Sequence, residues 1–333
     1  MKKALVTILK YLVFLGLGIW IIYYTLSKLS PGQRTQLLDD ITGVNPWYLF
    51  FIGVVGAASH YVRAARWRYL LETIDLHPTL TNTMFSVMIG YLANLVLPRA
   101  GEVAKCTVLA KYEKMPAHKM VGTIVAERAF DVLSLIVIAT ATFFIEMDRI
   151  NSYVSGLIDK FLDGHGAYLL ILPALLGIGI LVTYMVYKKN KESKVGIIIK
   201  EMTHGILSIF HMKKKWQFLG LTIIMWGLYA SQIYLGLLCL PATHNLPVMA
   251  SMVVLVYGSL ALIVTPGGIG AYPLLVQQIL AGPYGANEVT SMAFGWIAWA
   301  LQTIVIVVLG LLSLAFIHSY NQKRNAQVTV DTE

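Results

Sequence analysis

The sequence predicts an all-α polytopic integral membrane protein, with about six full spans and two broken, re-entrant hairpins arranged as an inverted repeat. Apolar residues make up 57% of its 333 residues and charged residues only 13%, whereas soluble domains carry about 25% charged residues. No Lys, Arg, Asp or Glu occurs from Trp216 to Asn287 or from Val289 to Gln322. Such stretches are too apolar for a soluble surface, and a bilayer span needs about 20 apolar residues. The third observation is that Pro and Gly interrupt two of the apolar segments.

Hydropathy along the chain indicates six spans. They are predicted at residues 4–26, 47–62, 120–145, 167–187, 216–240 and 289–317. Together with the interrupted segments they form a single transmembrane domain over residues 1–320. Residues 321–333 are predicted to be a short cytoplasmic tail.

The two interrupted segments, 81–102 and 248–281, carry helix-breaking residues. The first contains Pro98 followed by Gly101, and the second contains the run Pro266-Gly267-Gly268-Ile269-Gly270. Because Pro lacks a backbone donor and Gly has a low helix propensity, we predict that the helix stops at each of these points. Two interpretations are open: each segment re-enters on the side from which it came, or each one spans the membrane fully.

The charges of the loops predict the orientation. Residues 188–215 are rich in Lys, whereas residues 146–163 are acidic on balance, and loops rich in Lys and Arg lie on the cytoplasmic side. We therefore expect residues 146–163 outside, both chain termini in the cytoplasm, and the protein in the plasma (inner) membrane. The basic stretches at 63–68 and 99–119 can both be cytoplasmic only if segment 81–102 enters and returns on that side.

An internal repeat follows from that topology. Segment 248–281 would enter from the outside, opposite to the first segment, and Pro98 and Pro266 lie about half the chain apart. Halves of roughly 1–145 and 167–320 then hold three spans each, and an odd number of spans inverts the second half. Interrupted helices at matching positions of two halves point to a binding site near the midplane. Chance placement of two prolines is the alternative.

Three charged residues lie close together in the third span: Glu127, Arg128 and Asp131. A charge at the bilayer centre costs about 2.5–3.5 kcal/mol on insertion scales. Glu127 and Asp131 share a helix face, and Arg128 can reach Asp131. The group is either the lining of a hydrated cavity or a structural ion-pair network near the cytoplasmic interface.

Further candidates lie at the end of the second span and in the two interrupted segments. Arg63 and Arg66 fall on one helix face, and they either anchor the span at the interface beside Trp67 or contact a headgroup. The candidates in the first hairpin either hold a phosphate at a helix N-terminus or form a capping network. Glycines in the second hairpin let backbone amides line a cavity. The candidate site residues are Arg63, Arg66, Asn94, Pro98, Arg99, Glu102, Lys105, Glu127, Arg128, Asp131, Pro266, Gly267, Gly268 and Gly270.

No pattern of catalytic, nucleotide-binding or metal-ligating residues stands out. The chain has no HExxH, GxSxG or CxxC motif, and its Gly-rich run lacks the Lys of a P-loop. We expect no cofactor, no metal, no enzymatic activity and no soluble catalytic domain after the last span. The net charge of +9 reflects lysine clustered between two spans, so nucleic acid is not an expected partner.

Four motifs carry a resemblance to a known family. They are Arg63-x-x-Arg66-Trp67-Arg68, Asn94-x-x-x-Pro98-Arg99-x-Gly101-Glu102, Glu127-Arg128-x-x-Asp131 and Pro266-Gly267-Gly268-Ile269-Gly270. In these motifs and in its hydropathy, nearly the whole chain resembles the transmembrane flippase domain of lysylphosphatidylglycerol synthases. The resemblance implies a helical bundle with re-entrant helices that moves lipids or lipid-linked precursors between leaflets. The soluble synthase domain that is fused in the best-known members is not expected here.

The chain departs from that family at two places. Lys105 stands where the family often has Arg, and Tyr272-Pro273 stands where an acid often follows the Gly-rich motif. If that acid binds a coupling ion or a cationic headgroup, an aminoacylated lipid is not the expected cargo. The leading hypothesis is a flippase whose partners are membrane lipids with anionic or zwitterionic headgroups. The alternatives are a secondary transporter of a small polar solute and a membrane enzyme acting on a lipid-linked substrate.

Overall fold

The computed structural model describes residues 16, 18–97, 100–149, 152–153, 155, 209 and 212–330. Every regular element in these residues is a helix. The predicted span at 167–187 lies outside the described residues, as do Pro98, Arg99 and part of the predicted span at 4–26. The helices are α1 (18–27), α2 (Pro31–Thr42), α3 (Pro46–Glu72), α4 (Leu80–Val96), α5 (Ala100–Glu113), α6 (Ala117–Ile145), α7 (Lys215–Leu237), α8 (Val248–Val264), α9 (Ala271–Ala281) and α10 (Glu288–Val330), with a 3₁₀ helix at Pro266–Gly268.

Among the described residues, four helices are long and apolar enough to cross a membrane: Pro46–Glu72, Ala117–Ile145, Lys215–Leu237 and Glu288–Gln327. They confirm four of the six predicted spans. Two of these helices extend beyond the predicted spans, since α3 continues from residue 62 to Glu72 and α10 continues from residue 317 to Val330. The span bounds came from hydropathy, whereas a helix stops at Pro, Gly or a cap, and neither Pro nor Gly occurs in these extensions.

Both interrupted segments are pairs of helices with a break between them. The first pair is α4 and α5, so its second arm continues beyond the predicted end at residue 102 to Glu113. The second pair is α8 and α9, separated by Thr265 to Gly270. The predicted positions of both breaks are confirmed, because Pro and Gly act on the helix locally.

Side-chain caps hold the short connections before α2 and α3. Ser30 and Gln33 form a capping box at the start of α2, with Pro31 at the first position. The Asn45 side chain accepts a hydrogen bond from the Trp47 amide at the start of α3. These caps satisfy N–H groups that have no partner within the first helical turn. They make each connection a tight turn.

The chain divides into two compact units. The first comprises Met1–Val121 and Trp216–Glu333, and the second comprises Gly122–Lys215. In the first unit, one apolar core lies where α2, α8 and α9 meet the end of α7 and the start of α10. Its buried residues are Leu37, Val44, Leu237, Leu240, Ala250, Val254, Val276, Leu280, Val289, Met292, Ala293, Phe294 and Ile297.

Large apolar side chains are exposed along the candidate spans. Phe50 and Phe51 of α3, Ile223 of α7 and Phe316 of α10 are examples. A soluble protein rarely exposes so much contiguous apolar surface, whereas a membrane protein presents it to lipid. The exposed residues therefore support the assignment of these helices as spans.

Glu113, at the end of α5 and outside the candidate spans, joins three helices. Its carboxylate accepts hydrogen bonds from the backbone and hydroxyl of Thr79, from Asn82 Nδ2 at 2.7 Å and from Arg324 at 3.0 Å. Asn82 and Asn321 also exchange two amide hydrogen bonds, of 2.9 and 2.8 Å. Burial raises the pKa of Glu113, but the hydrogen bonds from Thr79, Asn82 and Arg324 outweigh it and hold the pKa below its usual value.

Glu113→Gln should therefore lower the melting temperature of the purified protein at pH 7 by a few degrees. The folded-state pKa lies below the unfolded-state pKa, so this stabilisation is present above the unfolded value of about 4.3. It is lost as the pH falls through the folded-state value. Melting curves from pH 7 down to pH 3 should show the difference between the two proteins disappearing. Glu72→Gln is the control, because the Arg68–Glu72 pair spans 3.8 Å and is more exposed. A constant difference at every pH would contradict the assignment.

Candidate functional site

The α4–α5 hairpin is closed by two glycines and an asparagine. A Cβ atom on Gly101 would overlap the carbonyl oxygen of Gly90, so the two helices touch through their backbones. The Asn94 side chain accepts a hydrogen bond of 2.8 Å from the Gly101 amide. Asn94 thereby caps the first turn of α5 across the break, as the capping interpretation of this hairpin requires.

Lys105 lies one turn after Glu102 on α5 and is buried. Its ammonium group lies 3.7 Å from the centre of the Trp67 ring of α3. Trp67 itself is fully buried. At this distance the ring face attracts the cation, and the contact ties α5 to α3.

Arg63 and Arg66 extend the same region along α3. Arg66 is fully buried, with its guanidinium 5.5 Å from the centre of the Phe218 ring of α7. Arg63 is half-buried and donates a 3.4 Å hydrogen bond to the Tyr229 hydroxyl of α7. Because Arg66 and Trp67 are buried in protein, neither is a surface anchor. We call Arg63, Arg66 and Lys105 the basic cluster.

A chain of polar side chains crosses the apolar helices beside Arg63. Gln232 Nε2 of α7 donates to Gln302 Oε1 of α10 at 3.1 Å, and Gln302 Nε2 lies 3.4 Å from His60 Nε2 of α3. The His60 ring lies 5.2 Å from the Tyr91 ring of α4. Sequence reasoning missed His60, Gln232 and Gln302. Their signal is present, since each is a polar residue inside an otherwise apolar span.

The break between α8 and α9 depends on glycine. Gly267 has φ 64° and Gly270 has φ 72°, a region that other residues rarely adopt. Trp299 Nε1 donates a 2.7 Å hydrogen bond to the Gly267 carbonyl, and Thr265 Oγ1 donates to the Ile269 carbonyl at 3.1 Å. The first bond ties the broken backbone to α10, and the second closes the turn between α8 and α9.

Only one of the three candidate glycines faces open space. A Cβ on Gly267 would meet no described residue within 4 Å, whereas one on Gly268 would lie 2.9 Å from Leu262. A Cβ on Gly270 would lie 2.7 Å from the Gly18 carbonyl oxygen of α1. The predicted cavity lining therefore fits Gly267, while Gly268 and Gly270 serve close packing.

Comparison with known proteins identifies the family of this chain. The chain matches the family described as lysylphosphatidylglycerol synthase TM region over residues 7–310. The chain belongs to this family. Membership confirms the predicted family, and together with the four candidate spans it places the protein in a membrane. No curated protein and no solved structure matches the chain.

In this member of the lysylphosphatidylglycerol synthase TM-region family, the third predicted span is α6. Glu127 is only 1% exposed, whereas Arg128 is exposed and Asp131 is half-buried. Glu127 and Arg128 thus point in different directions. Of the three charged residues of this motif, Glu127 is the one that is buried. These residues belong to the second compact unit.

The site residues predicted for this family member fall into four groups, one of which is the charged group of α6. Asn94 lies in the capped hairpin, and the basic cluster lies among aromatic rings. The glycines lie at the second break, packed against α1 and α10. Pro98 and Arg99 lie outside the described residues, so their placement at a hairpin tip stays a prediction.

Proposed function

We propose that this protein is a non-enzymatic lipid flippase that moves a phospholipid or a lipid-linked precursor between membrane leaflets. The observation that carries the proposal is the basic cluster buried among the candidate spans. The protein belongs to a lipid-related membrane family. It buries Arg66 and Lys105 between its helices, although buried charge is costly in a membrane protein.

The chemistry of the basic cluster suits a phosphate group. Arg66 is 0% exposed and Lys105 only 9%. Burying charge is expensive, and ionisable residues within membrane helices commonly line a substrate path. Guanidinium and ammonium groups form strong hydrogen bonds with phosphate oxygens. The Lys105 ammonium lies against the Trp67 ring and the Arg66 guanidinium against the Phe218 ring, so aromatic rings position both cations.

The lengths of the broken helices support re-entry. α4 and α8 contain 17 residues each, or about 26 Å of helix, which is less than the hydrocarbon thickness of about 30 Å. α5 and α9 are shorter still, at 14 and 11 residues. A helix that ends at membrane depth must lie within protein or line water. Two such ends would form the midplane site of a transporter.

An inverted repeat is supported by the matching positions of the two pairs. The same number of residues separates Leu80 from Val248, where α4 and α8 start, as separates Pro98 from Pro266. Leu97 and Thr265, which follow these helices, both have an extended backbone. We infer that the two hairpins enter from opposite faces, with both termini in the cytoplasm.

This topology predicts which sites face outwards. In a variant without Cys106 and Cys239, a cysteine in place of Ser155 should react with an impermeant maleimide added outside intact cells. A cysteine in place of Lys323 should react only after the membrane is opened. Labelling of position 155 from the cytoplasmic side alone would contradict the inverted arrangement.

The role of the basic cluster is tested by Lys105→Met. Methionine keeps an unbranched apolar stem against Trp67 and removes the charge, so the movement of an anionic lipid should slow by about tenfold or more if one charge-assisted contact is lost. The control is Lys111→Met on the same helix, where the side chain is exposed. Equal rates in vesicles containing either variant or the unmodified protein would exclude Lys105 from the path. Melting curves of both variants show whether folding is retained.

A further inference from the structure

We propose that His60 and Arg63 form a phosphate-binding subsite inside the helices, with His60 Nδ1–H and the Arg63 guanidinium donating to the same phosphate. The inference rests on the proposed function, which it deepens by naming the chemical group that the protein recognises. It also makes His60 a specificity-determining residue, which no motif in the sequence indicates.

The hydrogen-bond chain assigns the tautomer of His60. Gln302 Oε1 accepts from Gln232 Nε2, so Gln302 presents its Nε2 donor to His60 Nε2. His60 Nε2 must then accept, and in a neutral imidazole the proton lies on the other nitrogen, Nδ1. The two glutamines therefore turn Nδ1 into a hydrogen-bond donor.

That donor has no acceptor in the described part of the chain. His60 is 3% exposed, and Nδ1 is buried without a hydrogen-bond partner among the described residues. Buried polar groups in native proteins nearly always have a partner. The two glutamines orient the Nδ1–H donor, and no acceptor for it lies among the described residues. Such a donor marks the position of a ligand oxygen.

Arg63 makes an anionic oxygen the best acceptor. It follows His60 by three residues, so both side chains leave the same face of α3. Both lie against Tyr91, with the His60 ring 5.2 Å and the Arg63 guanidinium 5.7 Å from the Tyr91 ring centre. The Tyr229 hydroxyl lies 3.4 Å from Arg63. A phosphate group has enough oxygens to accept from the imidazole and the guanidinium together.

The charged groups of the surrounding helices fit this assignment. The helix α4 contributes only Tyr91 as a titratable group and no acid, and α7 contains no acid at all. The only acid of α10 is Glu288, about 21 Å along the helix from Gln302. Glu72, the one acid of α3, is about 18 Å along that helix from His60. These four helices bring no carboxylate to His60 Nδ1, so they do not repel an anion there.

Two substitutions of His60 separate ligand binding from structural support. His60→Asn places an amide donor near the position of Nδ1 but cannot reach Gln302. His60→Gln places an acceptor near the position of Nε2, so it keeps the bond to Gln302 and lacks the Nδ1 donor. A residue that serves only the hydrogen-bond chain should tolerate Gln, whereas a phosphate ligand should tolerate Asn.

The experiment is a titration of the full chain in detergent with dioctanoyl phosphatidylglycerol. Dioctanoylglycerol, which lacks the phosphate, and inorganic phosphate are titrated in parallel. We expect binding of the phospholipid to the unmodified protein, similar affinity in His60→Asn, and a loss of about tenfold to a hundredfold in His60→Gln. Arg63→Gln should lose at least as much. The melting temperature of each variant is measured alongside.

The opposite pattern, with affinity kept in His60→Gln and lost in His60→Asn, would make His60 a structural partner of Gln302 and overturn the inference. Equal affinity of the unmodified protein and both His60 variants would overturn it as well, and so would dioctanoylglycerol binding as tightly as the phospholipid. If inorganic phosphate bound as tightly as the phospholipid, the phosphate subsite would stand and the proposed lipid function would fail. The titrations therefore distinguish failure of the phosphate subsite from failure of the proposed lipid function.

Discussion

Glu127→Gln should stop lipid movement while leaving the protein folded in the membrane. Glu127 is 1% exposed on α6, and its motif holds two acids and one base within about one turn. The motif holds one acid more than bases, and Glu127 is the acid that the protein buries. Gln keeps the size and the hydrogen-bonding capacity of Glu, so a purely structural role should leave lipid movement intact in the folded protein. Neutralising Glu127 on the transport path removes a proton or headgroup contact.

The measurement compares rates of lipid movement in vesicles that contain equal amounts of folded protein. Asp148→Asn is the matched control, because Asp148 is an exposed acid shortly after the same helix. Asp131→Asn should behave like Glu127→Gln. Full activity in Glu127→Gln would remove this residue from the mechanism, and its burial would then be a matter of structure alone.

Gly101→Ala should separate α4 from α5 and destabilise the protein severely. The added methyl group would overlap the Gly90 carbonyl oxygen and lie 2.5 Å from the Asn94 side chain. Backbone atoms cannot rotate away as a side chain can, so the helices must move apart. Overpacking of this kind costs about 1–3 kcal/mol or more, and the Asn94 cap would be strained as well.

The melting temperature of Gly101→Ala in detergent should fall by several degrees or more, with poor yield of folded protein. Gly227→Ala on α7 is the control, because a Cβ there would come within 4 Å of no residue in the described part of the chain. Since Ala has a higher helix propensity than Gly, the control should be neutral or slightly stabilising. Equal stability of the two variants would show that α4 and α5 do not pack through Gly90 and Gly101.

Local chemistry explains what could be predicted from the sequence. The ends of α4 at Val96 and of α8 at Val264 follow from the properties of the proline and glycine residues that come next in the sequence. The true end of α3 at Glu72 could not be predicted from hydropathy, because hydropathy falls in an Arg-rich segment whether or not the helix ends there. Glu113, joined to α4 and α10, gave no signal, since its partners lie far away in the sequence.

The sequence indicated which residues belong to the candidate site better than it indicated what each residue does there. Arg66 beside Trp67 fits both a surface anchor and a buried contact, and only tertiary packing against Phe218 distinguishes the two. Asn94 fits both a ligand and a cap, and the bond to the Gly101 amide decides between them. His60 could have been noticed as a polar residue within a span, but its orientation depends on Gln302, far along the chain.

The proposed movement of phospholipid between leaflets can be measured on the purified protein. It is tested most directly with purified full-length protein in vesicles of phosphatidylcholine and phosphatidylglycerol, with a fluorescent phosphatidylglycerol in both leaflets. A membrane-impermeant reductant bleaches only the outer leaflet, so protein-free vesicles keep about half of their fluorescence. Vesicles that contain the protein should lose most of the remainder, while an entrapped soluble fluorophore stays protected. Fluorescence that stays near one half with folded protein present, under an imposed proton or sodium gradient as well as without one, would contradict the account.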